Sequence, residues 1–180
     1  MEKSFDMLAP VRVFDDIAFV SSGSYYSGVR RNIAKAMKVY DMAAIERAAS
    51  EMVAMYSLPS DALLVPVPSH LGYPTYTLEL AERIAKATNS EIANVLRGAV
   101  RDMLYDRKRQ RKQVSEHFLG LYSIEELPID RPVFIIDNVL DTGLTARAAC
   151  HTLGRGMMMV YAHAMKKSEY TEIEQLISYT

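Results

Sequence analysis

The sequence predicts an α/β fold, a mainly parallel twisted sheet with helices on its faces. Three observations predict it. Short apolar runs at residues 62–67, 133–136 and 157–164 alternate with longer stretches whose apolar residues recur at helical spacing. The first two of these runs stop in turn-forming residues that lead straight into a helix pattern, as strand–loop–helix units do. The composition, 49% hydrophobic and 24% charged, is that of a globule with an ordinary core rather than of a disordered or fibrous chain.

Taken in order, residues 11–20 alternate apolar and polar side chains imperfectly, as one strand or a hairpin arm does, and residues 21–26 are turn-rich. Residues 29–39 and 42–55 read as two helices, and Pro59 closes that unit. Residues 62–67 form a short strand flanked by Pro66 and Pro68. An amphipathic helix over 75–88 follows, with Leu78, Ala81, Ile84 and Ala85 on one face. Residues 91–96 read as another short strand, and residues 99–116 are highly charged without a clean period. Pro132 opens a strand over 133–136 that stops at Asp137 and Asn138; a turn comes next, then a helix over 146–153. The run Met157, Met158, Met159 continues into Val160 and Tyr161, which makes it a buried strand rather than a metal site. Residues 169–178 can form a terminal helix.

At 180 residues the chain is expected to be one domain, large enough to bury a core without disulfides or a structural metal. The single cysteine, Cys150, excludes an internal disulfide and a cysteine-based metal cage. A net charge of −1 gives no general electrostatic case for nucleic acid or a membrane surface. No stretch approaches the roughly 20 apolar residues of a membrane span, and no signal-length apolar run opens the chain, so a cytoplasmic location is the expectation.

The junction after residue 136 carries the chemistry. A helix N-terminus collects anions, because unpaired N–H groups and the positive end of the helix dipole converge there. Gly143 permits the close approach or positive φ of a cradling loop, and Thr142 and Thr145 add hydroxyl donors. Asp137 and Asn138 are acceptors suited to a pair of vicinal sugar hydroxyls. The plainer reading is an ordinary helix after a buried strand, capped by Asp141 or Thr142. The turn Pro68, Ser69, His70, Leu71, Gly72 is a second such junction, open to the same two readings.

The order of residues 133–145 resembles the signature of type I phosphoribosyltransferases: four apolar residues, two acidic residues, two variable positions, then Asp/Thr-Thr-Gly-x-Thr. Asn138 stands where that signature has its second carboxylate. The Val-Pro-x-Pro stretch ending in Pro68, the Tyr26, Gly28 and Arg30 segment with Lys35 and Lys38, and the Leu96, Arg97 pair are similar to the ComF-like branch. The resemblance implies the phosphoribosyltransferase fold with a small hood from the termini, and no separate zinc-binding or glutaminase domain. It also implies transfer of a phosphoribosyl group from phosphoribosyl pyrophosphate to a nitrogen nucleophile with release of pyrophosphate. The alternative is a non-catalytic regulatory module of the same fold, binding phosphoribosyl pyrophosphate or a nucleotide.

By the same resemblance Asp137 and Asn138 would hold the ribose. Asp141, Thr142, Gly143, Leu144 and Thr145 would grip the 5′-phosphate, with Asp141 also a general base. Pro68, Ser69, His70, Leu71 and Gly72 would bind pyrophosphate. Magnesium would be held mainly by the substrate, with no direct protein cage. Between Arg101 and Lys112 lie six basic and two acidic residues. They read either as a solvated face or, by the resemblance, as a mobile loop whose Arg107 and Arg109 meet the departing pyrophosphate. An acceptor of unknown identity and a homodimer complete the implied partners. Phe5, Phe14, Tyr161, Tyr170 and Tyr179 are candidates to stack on a base, though most are expected to be core.

Overall fold

The computed structural model describes residues 9–103, 106 and 114–173. Strands β1 (Val11–Phe14) and β2 (Ile17–Ser21) form a hairpin. Its turn residues, Asp15 and Asp16, have φ of 52° and 64°, the two-residue geometry that matches strand twist. Helices α1 (Gly28–Met37) and α2 (Met42–Met55) follow. Ser27 caps the first by accepting from the Arg30 N–H, and Asp41 caps the second by accepting from the Ala43 and Ala44 N–H groups. Strand β3 (Leu63–Pro66) leads to α3 (Tyr76–Thr88), then to β4 (Glu91–Ile92) and β5 (Leu96–Arg97). Beyond the charged segment come α4 (Glu116–Leu119), β6 (Tyr122–Ser123), β7 (Val133–Leu140), α5 (Leu144–Leu153), β8 (Met157–His163) and β9 (Thr171–Ile173).

The main sheet has the order β4-β3-β7-β8-β2-β1-β9. Strands β4, β3, β7, β8 and β2 are parallel, and β1 and β9 add an antiparallel edge. The central strands are apolar on both faces because both are covered. Leu64, Phe134, Ile136, Met159 and Tyr161 pack with α1, α2 and α3, while Leu63, Val65, Val133, Ile135, Met158 and Val160 pack with Ala146 and Ala149 of α5. That alternation is the two-residue period of a strand buried between two layers. The α/β class with a mostly parallel sheet is therefore present, as are the expected helices over 29–39, 42–55 and 75–88, within two residues at each end.

Three expectations need correction. The strand at 133–136 runs on to Leu140, carrying Asp137 and Asn138 inside it. Both neighbours extend with it: Val67 N–H donates to the Ile136 carbonyl, and Asp137, Val139 and Leu140 pair with Val160, Ala162 and His163. Residues 91–96 are not one strand. Ala93 still donates to the Leu64 carbonyl (2.9 Å), but the Val95 N–H turns back onto Ala93 (2.9 Å), and β5 leaves to pair with β6. Residues 171–173 are strand rather than helix, held by pairing with β1 and by the Arg12–Glu172 ion pair at 3.0 Å; residues 174–178 lie outside the described ones. In the last two cases tertiary pairing overrides a weak local pattern. Among the described residues no helix is long and apolar enough to cross a membrane.

Candidate functional site

Because β2, β3, β7 and β8 are parallel, their carboxyl ends share one edge of the sheet. Ser21, Val160 and Asp137 lie in one cross-strand row, and Val67, next to Ile136, brings the turn beginning at Pro68 alongside. The two loops singled out in the sequence thus flank the same edge, where open parallel sheets bind ligands.

Asp137 and Asn138 are both buried. One Asp137 carboxylate oxygen, Oδ1, accepts from the Asn138 N–H at 2.7 Å. Burial pushes the Asp137 pKa up to about 6, opposed by that N–H and by the Lys38 ammonium at the end of α1. Of the two lysines noted in the sequence, Lys38 is thus within electrostatic reach of Asp137. Asn138 has both amide ends engaged inside the protein. Its Nδ2 donates to the Ala34 carbonyl of α1 (3.0 Å), and its Oδ1 accepts from the Tyr76 hydroxyl of α3 (3.2 Å). Burial first, then the neighbouring Asp137 carboxylate, hold the Tyr76 pKa well above the ordinary phenol range, so the hydroxyl stays a donor. Asn138 therefore pins two helices to the central strand. Tyr76 gave no signal in the sequence, since a single tyrosine opening a helix has no periodicity of its own.

Helix α5 begins at Leu144, and its cap is Gly143 at φ 75°, which has no side chain to bond the first turn. The cap position itself is thus held by Gly143 rather than by Asp141 or Thr142. The glycine has a packing reason as well: a Cβ there would meet Arg147 Nη1 at 3.0 Å, Phe14 Cε1 at 3.1 Å and Ile17 Cδ1 at 3.2 Å. Asp141 and Thr142 are exposed, and Leu144 and Thr145 are half-buried. Arg147, one turn into the helix, donates to the Thr142 carbonyl (3.3 Å) and pairs with Asp15 (3.0 Å) and Glu116 (3.4 Å). A cation thus stands beside the loop, a residue that the signature alone did not point to.

The second turn is closed on itself. Ser69 N–H and Oγ–H both donate to the Tyr73 carbonyl, at 2.9 and 3.1 Å. Leu71 N–H donates to Ser69 Oγ (3.2 Å), and Gly72 N–H to the Ser69 carbonyl (3.1 Å). Three of the backbone donors expected to cradle pyrophosphate are consequently spent within the turn. Pro68 and Gly72 are buried, Ser69 and His70 half-buried, and Leu71 is exposed. Gly72 has φ 87°, and a Cβ there would meet the Gly98 carbonyl oxygen at 2.5 Å. Gly72→Ala is therefore expected to cost about 2–4 kcal/mol, from the clash and the left-handed backbone together. Urea unfolding of the variant checks it, and a loss under about 0.5 kcal/mol would contradict this packing.

At the same edge Ser21 Oγ and His163 Nδ1 share a hydrogen bond of 2.9 Å, both residues buried. Burial and then Arg12 push the His163 pKa down, which keeps the ring neutral. Tyr25 N–H donates to the His163 carbonyl (2.8 Å), and His163 N–H to that of Gly23 (3.0 Å), so this pair fixes the loop before α1. Of the aromatic candidates, Tyr161 is fully buried in the core. Phe14 packs on the α5 side, and Tyr170 packs edge-on to Phe19 and His163. Phe5 and Tyr179 lie outside the described residues, as do Arg107 and Arg109. Among the described residues no three His, Cys, Asp or Glu side chains gather as a metal cage. In sequence comparisons the chain matches no family model and none of the curated proteins.

Proposed function

We propose that this chain binds phosphoribosyl pyrophosphate with magnesium and transfers the phosphoribosyl group to a nitrogen nucleophile, a nucleobase or an amine, releasing pyrophosphate. One observation carries the reading. A buried carboxylate, Asp137, ends a run of apolar residues in a central parallel strand, whose last residue, Leu140, leads into a loop that opens through Gly143 into a helix capped by that glycine. That is a ribose-hydroxyl acceptor beside an anion cradle in nine residues of chain.

The chemistry follows from these groups. The bond from ribose C1 to the pyrophosphate oxygen breaks and a bond from C1 to nitrogen forms; the electron pair leaves with pyrophosphate, and the nitrogen gives up its proton. Asp137 orients the ribose hydroxyls. The 141–145 loop holds the 5′-phosphate through N–H groups and the Thr142 and Thr145 hydroxyls. Asp141, exposed at the mouth of the loop, takes the proton of the nucleophile. Catalysis then consists mostly of positioning and of charge stabilisation at the leaving group. Magnesium would be held mainly by the substrate and would supply positive charge to the departing pyrophosphate, a role that needs few protein ligands. Asp137, ionised at neutral pH by its pKa of about 6, is the carboxylate suited to it.

A second reading has its own support. With both amide ends of Asn138 tied to Ala34 and Tyr76, Asp137 lacks the acidic neighbour of the resembled signature. A protein of this kind would bind phosphoribosyl pyrophosphate and signal through a partner rather than turn it over.

Calorimetric titration with phosphoribosyl pyrophosphate, with and without magnesium and with ribose 5-phosphate as control, tests the shared claim. Binding is expected to require magnesium, to vanish in Asp137→Ala, and to weaken as pH falls through about 6, where Asp137 takes up its proton. No heat at millimolar ligand would overturn both readings. Pyrophosphate release over a panel of nucleobases and amines then separates them, since the regulatory module would bind and release none.

A further inference from the structure

The turn at residues 69–73 is gripped from outside by residues 98–101, which lead into the basic segment. Gly98 N–H donates to the Gly72 carbonyl (2.9 Å), Arg101 N–H to the His70 carbonyl (2.9 Å), and Arg101 Nη1 to the Ser69 carbonyl (2.9 Å). Every carbonyl of Ser69, His70 and Gly72 is therefore drawn toward this strap, and Arg101 accounts for two of the three. This matters for an anion. Carbonyl oxygens carry the negative end of the peptide dipole, so a turn that faces phosphate must hold them away from it. With the N–H groups of Ser69, Leu71 and Gly72 spent internally, the turn depends on the direction of its carbonyls and on nearby positive charge.

Arg101 supplies that charge. Its guanidinium is half-buried, and its Nε is buried with no hydrogen-bond partner among the described residues. Burial lowers its pKa, though a guanidinium remains charged at neutral pH. A stranded donor on a partly desolvated cation is a poor choice for stability alone, because a methionine would fill similar volume without it. A half-buried charge also acts through less water, and so is felt more strongly at the turn.

We propose that Arg101 is a positioning residue for the pyrophosphate subsite, holding the Ser69 and His70 carbonyls toward itself and placing a fixed positive charge beside the turn. The inference rests on the phosphoribosyl pyrophosphate reading above, and it shifts the recognition of pyrophosphate from the turn's own N–H groups to a clamp between two distant segments.

The test titrates the full chain and its Arg101→Met and Arg101→Lys variants with three ligands in magnesium: phosphoribosyl pyrophosphate, inorganic pyrophosphate and ribose 5-phosphate. Arg101→Met is expected to lose about tenfold or more for the two pyrophosphate ligands, the scale of one charge-assisted interaction, and to keep ribose 5-phosphate within about twofold. Arg101→Lys, with the charge but not the planar fork, falls between. If Arg101→Met does not fold, the lysine variant carries the comparison. Equal loss for all three ligands would mean a merely structural role and overturn the proposal, as would a pyrophosphate affinity unchanged in Arg101→Met where the wild type binds it. A wild type that binds neither pyrophosphate ligand would overturn the underlying reading of function along with it.

Discussion

Asp137→Asn is expected to melt higher than the wild type at pH 7 while losing phosphoribosyl pyrophosphate binding. The substitution keeps the shape and the oxygen that accepts the Asn138 N–H, but removes an ionised group from a buried position. An acid whose folded pKa is about 6 against an ordinary 3.8 holds its proton more tightly when folded. Its presence costs nothing below about pH 4. The penalty grows as pH rises through the interval to about 6 and is complete above it. At about 1.4 kcal/mol per unit, the upper bound is about 3 kcal/mol. The amide's added N–H, which needs a partner of its own, reduces the expected gain to about 1–2 kcal/mol. Thermal melts at pH 4 and pH 7 check the sign: the difference between variant and wild type should shrink at the lower pH. A variant that melts lower at pH 7 and binds as before would remove Asp137 from the site. Stability surrendered at one buried carboxylate is the expected mark of a group kept for its chemistry.

Asn138→Asp, which would restore the second carboxylate of the resembled signature, is expected to destabilise the fold by about 3 kcal/mol rather than to revive a site. The change removes the donor to the Ala34 carbonyl at 3.0 Å, leaving that carbonyl unpaired. It also buries a second carboxylate beside Asp137. Only the bond from the Tyr76 hydroxyl survives. Urea denaturation reports the loss, and for a chain of this size it corresponds to roughly 6–12 °C in melting temperature. Asn138→Ala, which loses both bonds but adds no charge, should fall short of it. An aspartate variant as stable as wild type would mean that the Ala34 and Tyr76 contacts carry little of the packing between α1, α3 and β7.

Much of the framework was legible in the chain itself. The apolar runs at 62–67 and 157–164 are strands because they are short, continuous and bounded by turn residues, and central parallel strands need no alternation. The helices over 42–55 and 75–88 declare themselves by apolar spacing, and Gly143 by the backbone that the junction before α5 requires. These are local signals, written within a few residues of the feature they specify.

What the chain could not declare is what distant segments do to one another. The identity of Asn138 is readable; its role as a pin between α1 and α3 depends on Ala34 and Tyr76, 104 and 62 residues away. The strand's continuation to Leu140 depends on ladder partners supplied by β3 and β8. Residues 68–72 look in sequence like an open cradle, yet closure of the turn spends the N–H groups of Ser69, Leu71 and Gly72, and Arg101, some 30 residues on, takes the Ser69 and His70 carbonyls. The sequence by itself determined the kinds of groups present and the order of strand, loop and helix. Only the tertiary structure decided which of those groups are satisfied internally and which remain for a ligand, because hydrogen-bond satisfaction and desolvation belong to the packed environment and not to any residue alone.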